Sequence, residues 1–256
     1  MSVYTTEIAS DQLISDNPIH QRLLKAYYVA EEIVFGDLLE VGCGEGRGVE
    51  LLAPKAKSYT AVDKIEEVVV QLQNIYPASK FIQATIPPLP FDNDSFNSVV
   101  SFQVIEHIKD DARYLKEIHR VLKPGGTALI STPNIKMTLS RNPWHIREYT
   151  ADQLTALATS IFNKVEMKGI SGNEKVMNYY LQNKASVNRI MKYDIFNLQY
   201  HLPAAFLKMP YELLNRRNRN KLQSSDDTLV ASIHHEDYLL SNELSTSLDL
   251  FAVLTK

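Results

Sequence analysis

Three glycines at alternate positions, Gly42, Gly44 and Gly46, stand between the apolar run LLEV (38–41) and a helix expected through about Leu52. Backbone without Cβ atoms can turn sharply there and approach a ligand closely. The start of the following helix offers unpaired N–H groups to an anion or carboxylate. Seventeen residues past Gly46, Asp63 closes a second apolar run, YTAVD (59–63). If the two runs are neighbouring parallel strands, the Asp63 carboxylate lies beside the glycine loop. It can then accept hydrogen bonds from both hydroxyls of a ribose. The spacing predicts a nucleoside site. Nicotinamide dinucleotides use similar parts in the order G-x-G-x-x-G, but here the third position is Arg47. That side chain would crowd the helix–strand contact beside a pyrophosphate.

A second centre lies in NPWHIREYT (142–150), where His145 and Glu148 stand three residues apart. On a helical turn they share a face. The pair reads in two ways: an ordered loop pinned by a His–Glu hydrogen bond, or a general base with its orienting carboxylate. His107, in Glu106-His107, has the same two options, a structural bond to backbone or proton transfer. Cys43 reads as a small buried filler, because nothing near it would lower a thiol pKa. His234-His235-Glu236-Asp237 holds metal-capable side chains, yet sequence neighbours are not expected to converge on one ion. A surface loop is expected there, and no metal site. The basic run Arg216-Arg217-Asn-Arg219-Asn-Lys221 reads as the solvated end of a helix. The alternative is a lid whose cations meet an anionic acceptor or a membrane surface.

The elements that must position these groups alternate. Helical spacing covers Pro18–Val34, followed by strands near 38–41, 59–63, 80–84, 95–103 and 127–133. Helices at 64–76 and 104–122 lie between them, and Lys123–Gly126 reads as a turn. This rhythm predicts βαβ units and a parallel sheet covered on both faces. Thr150 is a candidate cap for a helix over 150–160, and 163–170 and 247–256 read as strands. About 75 residues separate those two strands, with helical pieces near 174–193 and 203–217. So long an insertion folds rather than forming plain loop. The expected organisation is an N-terminal helical arm (1–36), a cofactor-binding core (37–170), a helical cap insertion (171–246) and a final core strand (247–256).

Composition narrows the function classes. The net charge is −3 and 45% of residues are hydrophobic, so no global field favours nucleic acid. A single cysteine excludes intrachain disulfides. The polar stretch MSVYTTEIASDQLISDNP lacks a signal-peptide core, and no run of about 18 apolar residues exists. A cytoplasmic location is expected.

The stretches E-V-G-C-G-E-G (40–46), A-V-D (61–63), L-P-F (89–91), D-N-D-S-F (92–96), Q-V-I-E-H-I (103–108) and L-K-P-G-G (122–126) together resemble class I methyltransferases dependent on S-adenosylmethionine (SAM). Within that class the chain is most similar to the small-molecule subgroup that includes ubiquinone and sugar methyltransferases. The resemblance covers about residues 20–170. It implies an α/β Rossmann-like fold with a seven-stranded, mostly parallel sheet whose last strand alone runs antiparallel. It also implies SAM as cofactor. Glu40, Gly42 and Gly44 then lie near the methionine portion with Cys43, and Asp63 holds the ribose with Lys64 beside it. Ala84 and Thr85 would lie beside adenine and Gln103 near the sulfonium. Tyr27, Tyr28 and Tyr149 are candidate aromatic faces for the sulfonium cation, and Tyr28 is taken for the site. Relatives commonly carry an Asp where Ala84 and Thr85 stand, so the adenine contact here falls to Thr85, Gln83 or backbone.

The expected activity is methylation of an oxygen or nitrogen on a small or medium acceptor, an anionic sugar, lipid or quinone-like molecule included. His145 and Glu148 are the catalytic candidates. Two rivals remain: a SAM-binding partner protein without catalysis, and a nicotinamide-dependent oxidoreductase. Peripheral membrane contact and oligomeric state are left open.

Overall fold

In the computed structural model, residues 12–256 are described. Strands β1 (Asp37–Val41), β2 (Ser58–Asp63), β3 (Lys80–Gln83), β4 (Phe96–Phe102) and β5 (Leu122–Pro133) pair in parallel. Beyond them come β6 (Lys164–Gly172), β7 (Tyr238–Ser241) and β8 (Asp249–Thr255), and the full order is β3-β2-β1-β4-β5-β8-β6-β7. The sheet thus has eight strands rather than seven. The extra one, β7, comes from the expected cap and pairs antiparallel with the end of β6, Gly169–Gly172. Both β7 and β8 run against the rest. Four residues reading Tyr-Leu-Leu-Ser carry no alternation, so β7 left no periodic signal.

Covering both faces gives continuous apolar strands. Along β1 successive side chains alternate between two layers. Leu38 packs with Tyr27 of helix α1 (Asn17–Ala30), Leu52 of α2 (Val49–Leu52) and Leu72 of α3 (Glu66–Ile75). Leu39 and Val41 pack with Leu115 of α4 (Asp111–Val121) and Leu154 of α5 (Ala151–Thr159). Glu40 is therefore a carboxylate in the apolar α1–α3 layer.

Three local expectations change. The helix after the glycine loop begins only at Val49 and is four residues long, because Gly44–Gly48 remains turn. It has no extended dipole to offer a ligand. The 104–122 helix is broken into a 3-10 turn, Ile105–His107, and α4. Asp110 caps α4 by accepting from the Arg113 N–H at 3.0 Å, which fixes the restart. Residues 123–126 belong to the start of β5, across a pairing irregularity at Phe96/Ser98. Thr150 does cap α5, in a capping box with Gln153.

Between β6 and β7 lie α6 (Glu174–Met191), α7 (Leu198–His201), α8 (Ala204–Ser225) and α9 (Asp227–Ser232). This layer is tied to the amino-terminal segment. Asn17 donates to the carbonyls of Val230 and Ile233, both at 2.8 Å. Arg216 and Arg219 reach the fully buried Asp16 at 2.7 and 3.1 Å. The 216–221 run is therefore not one solvated face: two of its cations turn inward, while Arg217 and Lys221 stay exposed.

Candidate active site

A cavity of about 830 Å³ opens along the carboxyl ends of β1, β2 and β4 and runs beneath α6 and α8. Ligands of open α/β sheets bind at that edge, where the strand order reverses. Gly42, Cys43, Gly44, Asp63, Lys64, Thr85 and Gln103 line it, and so do His107, Asn142, His145 and Glu148.

The glycine loop folds as its sequence requires. Gly42 has φ +80°, and a Cβ on it would stand 2.5 Å from a Val104 methyl. Gly44, at φ +49°, faces open space, so a bare stretch of backbone borders the cavity. Asp63 ends β2 as expected. One carboxylate oxygen accepts from Gly44 N–H at 2.9 Å and the other from Ile65 N–H at 3.0 Å. Each oxygen retains lone pairs for a ribose. Gln103 adopts φ +57°, a left-handed conformation uncommon for a side-chain-bearing residue. Its N–H donates to the Ser131 carbonyl at 2.9 Å. Open backbone at Gly44, the carboxylate at the β2 tip and Gln103 on one wall suit a nucleoside with an amino-acid tail, as SAM is.

Three of the expected cofactor residues lie elsewhere. Glu40 is buried beneath the loop and does not reach the cavity. Tyr27 donates to it at 2.7 Å and Tyr59 to its other oxygen. Tyr28 points away, stacked on His235 with ring centroids 3.6 Å apart, and its neighbour Tyr27 lines the cavity instead. Ala84 is not among the lining residues, whereas Thr85 and Ile86 are.

Burial raises the Glu40 carboxyl to about 7, with hydrogen bonds from Tyr59 and Tyr27 pulling the other way. A carboxyl raised above its unfolded value stabilises the fold at low pH. That contribution fades as pH climbs from about 4.5 to about 7. The shift corresponds to about 3 kcal/mol. Wild-type unfolding free energy, measured in urea at pH 5 and pH 8, should fall, with up to that amount coming from Glu40. Glu40→Gln, which has no charge to bury, should show a flatter dependence; an equal fall would assign it to other groups. Gly42→Ala places a Cβ at a strained φ against Val104 and is expected to cost about 1–3 kcal/mol in the same urea series.

On the same cavity, His145 Nδ1 meets Glu148 at 2.6 Å, and His145 Nε2 meets the Asn142 amide at 2.9 Å. An ionised carboxylate only accepts, so Nδ1 carries the proton and Nε2 is the basic nitrogen. The second Glu148 oxygen accepts from Thr138, which holds the carboxylate in place. Sequence reading missed Thr138, since nothing in MTLS (137–140) marks it as a partner of a carboxylate ten residues away. His107 Nδ1 bonds the Trp144 carbonyl at 3.1 Å, and its ring meets that of His145 edge-on at 5.0 Å. Next to them Glu106 is buried and raised to about 7 by desolvation, although Thr132 donates to it at 2.9 Å. Glu106, His107 and His145 each offer one ligand atom, all within 4.8 Å of one another. His234, His235 and Glu236 do likewise. They sit at the surface at the 3-10 turn 235–237, as expected, and Asp237 stands outside the group, so the four neighbours do not all converge. Cys43 is buried and its thiol is pushed well up by desolvation, as befits a filler.

The cavity at the parallel sheet's carboxyl edge thus joins open glycine backbone and the Asp63 carboxylate to a His–carboxylate pair, on a Rossmann-like fold. The family model described as a methyltransferase domain matches residues 39–130. A probable S-adenosylmethionine-dependent methyltransferase of Mycobacterium tuberculosis is 34% identical over 227 residues, covering 86% of this chain and 77% of that one. The chain belongs to the SAM-dependent methyltransferases, and SAM is its cofactor. The phthiotriol/phenolphthiotriol dimycocerosates methyltransferase of Mycobacterium leprae is 28% identical over 142 residues, about half of each chain. Among solved structures, a Thermotoga maritima SAM-dependent methyltransferase, described as a possible histamine N-methyltransferase, superposes with TM-score 0.59. It covers 93% of this chain and 92% of that one at 14% identity, a likeness of fold. Among the described residues no helix is long and apolar enough to cross a membrane.

Proposed function

We propose that the enzyme methylates a hydroxyl oxygen on a small or medium-sized acceptor held between the glycine loop and the cap, with His145 as general base and Glu148 as its orienting carboxylate. The observation that carries this reading is the hydrogen-bonded chain Thr138–Glu148–His145–Asn142 in the cavity that also receives the cofactor residues. SAM supplies an already activated methyl group. The protein's task is then to align the acceptor and exclude water. An alcohol, unlike most amines, must also lose a proton as its oxygen attacks. The incoming hydroxyl replaces the Asn142 amide at Nε2, and Glu148 stabilises the imidazolium that forms. Asp63, Gly44, Thr85 and Gln103 bind the cofactor in this reading. Arg22, on the cavity wall in an ion pair with the buried Asp249 at 3.2 Å, gives the acceptor end a polar floor. The M. leprae relative, named for phthiotriol and phenolphthiotriol dimycocerosates, lends support to a hydroxyl-bearing acceptor.

A second reading rests on the Glu106–His107–His145 cluster, whose spacing admits a divalent cation that would acidify the acceptor hydroxyl in place of a base. Methyl transfer to a panel of hydroxylated and amine acceptors, before and after chelation and dialysis, tests both. Transfer to hydroxyls that survives chelation supports the base. Loss restored by added zinc moves the role to a cation, as two imidazoles and a carboxylate would hold it, and transfer to amines alone would overturn the hydroxyl assignment.

A further inference from the structure

The outer surface of the cap is apolar in a way that neither the cofactor nor the acceptor site explains. Tyr193 is 87% and Met209 82% exposed, and Ile195, Phe196, Tyr200, Phe206 and Leu213 are also largely exposed. On α8, Phe206, Met209 and Leu213 fall on one face by their spacing of three and four. Arg217 and Lys221, both exposed, continue that face toward the carboxyl end of the helix. Tyr211, Asn215 and Arg219, on the opposite face, line the acceptor cavity. One helix thus presents an apolar-then-basic stripe outward and a polar wall inward.

The charge around the stripe is mostly positive. Residues 184–221 hold eight basic and two acidic residues, in a chain whose net charge is −3. Besides Arg217 and Lys221, Lys184, Arg189 and Lys192 are exposed in this segment. Aromatic and aliphatic side chains this exposed stand out from the surface instead of lining a groove. Flanking cations complement anionic headgroups, and this combination is the physical signature of an amphipathic helix lying in a bilayer interface.

We infer that the cap docks on an anionic lipid surface through the 193–202 turn and the outer face of α8, which brings the acceptor cavity to the membrane without spanning it. The proposal does not rest on the assignment of His145, because its readout is binding and not turnover. The test is co-sedimentation of the full chain with phosphatidylcholine vesicles, with and without phosphatidylglycerol. Partition onto the anionic vesicles is expected, weakening as salt is raised. The variants Phe206→Ser/Met209→Ser/Leu213→Ser and Lys192→Glu/Arg217→Glu/Lys221→Glu should each lower it by roughly tenfold or more. Unchanged affinity for S-adenosylhomocysteine would show that both variants remain folded. If both lose that affinity, single substitutions at Phe206 and Lys221 replace them, with a smaller drop expected. Several results would overturn the proposal: no partition, partition equal on neutral vesicles, or variants that bind as wild type does. So would light scattering showing that the stripe joins two copies while vesicles are ignored.

Discussion

His145→Ala is expected to lower kcat for a hydroxyl acceptor by roughly 10²–10⁴-fold, the range that a positioned base contributes. Affinity for S-adenosylhomocysteine should stay within about twofold, since His145 is not among the residues proposed to bind cofactor. The two readings of the pair separate here. If Glu148 and His145 merely pin the 142–150 loop, the variant loses stability and acceptor affinity together while the chemical step is spared. Single-turnover rates at saturating acceptor, alongside calorimetric binding, distinguish them. Glu148→Gln should fall between wild type and His145→Ala, because an amide can still accept from Nδ1–H but stabilises an imidazolium less. A chemical step unchanged in His145→Ala removes the base from the mechanism.

Asp63→Ala carries the second large effect. Its carboxylate orders the loop through Gly44 and Ile65 and has lone pairs left for two ribose hydroxyls. Each hydrogen bond to a charged group contributes about 1.5–3 kcal/mol. Loss of both ribose contacts should therefore raise the Kd for SAM by roughly 10²–10⁴-fold. Asp63→Asn, which keeps one acceptor and the approximate shape, should lose less. Lys116→Ala, exposed on α4 and outside the cavity, is the control and should stay near wild type. A thermal-shift series gives the same order, because a ligand stabilises in proportion to the logarithm of its concentration over Kd.

Much of this arrangement could be read from residues 37–133. There the strands are buried on both faces and the turns are marked by glycine or by a polar tip, so pattern and position coincide. Asp63 and the glycine loop were legible because parallel pairing of adjacent strands leaves few other places for them. Glu40 was misplaced because proximity in sequence to the loop does not say which face of β1 it takes. The alternation of Leu38, Leu39 and Val41 between two layers sends it under the sheet, toward Tyr27 and Tyr59. Tyr27 and Tyr28 could not be told apart for a similar reason: both fit an amphipathic helix, and 100° of rotation decides which one sees the cavity. The insertion was legible as helical but not as a contributor to the sheet, since β7 is too short to carry a period. Asp16, Thr138 and Asp249 owe their roles to partners 10 to 227 residues away, which no local pattern reports.

The central claim is that one cavity holds the cofactor's nucleoside at Asp63 and points its sulfur at His145. A crystal structure with S-adenosylhomocysteine tests it most directly. The ribose hydroxyls should bond the Asp63 carboxylate, and the amino-acid tail should lie along the open backbone at Gly44. The sulfur should face a space in which an acceptor oxygen can approach to about 3–3.5 Å of the methyl position while touching His145 Nε2. A ribose bound away from Asp63, or a sulfur walled off from His145, would contradict the account.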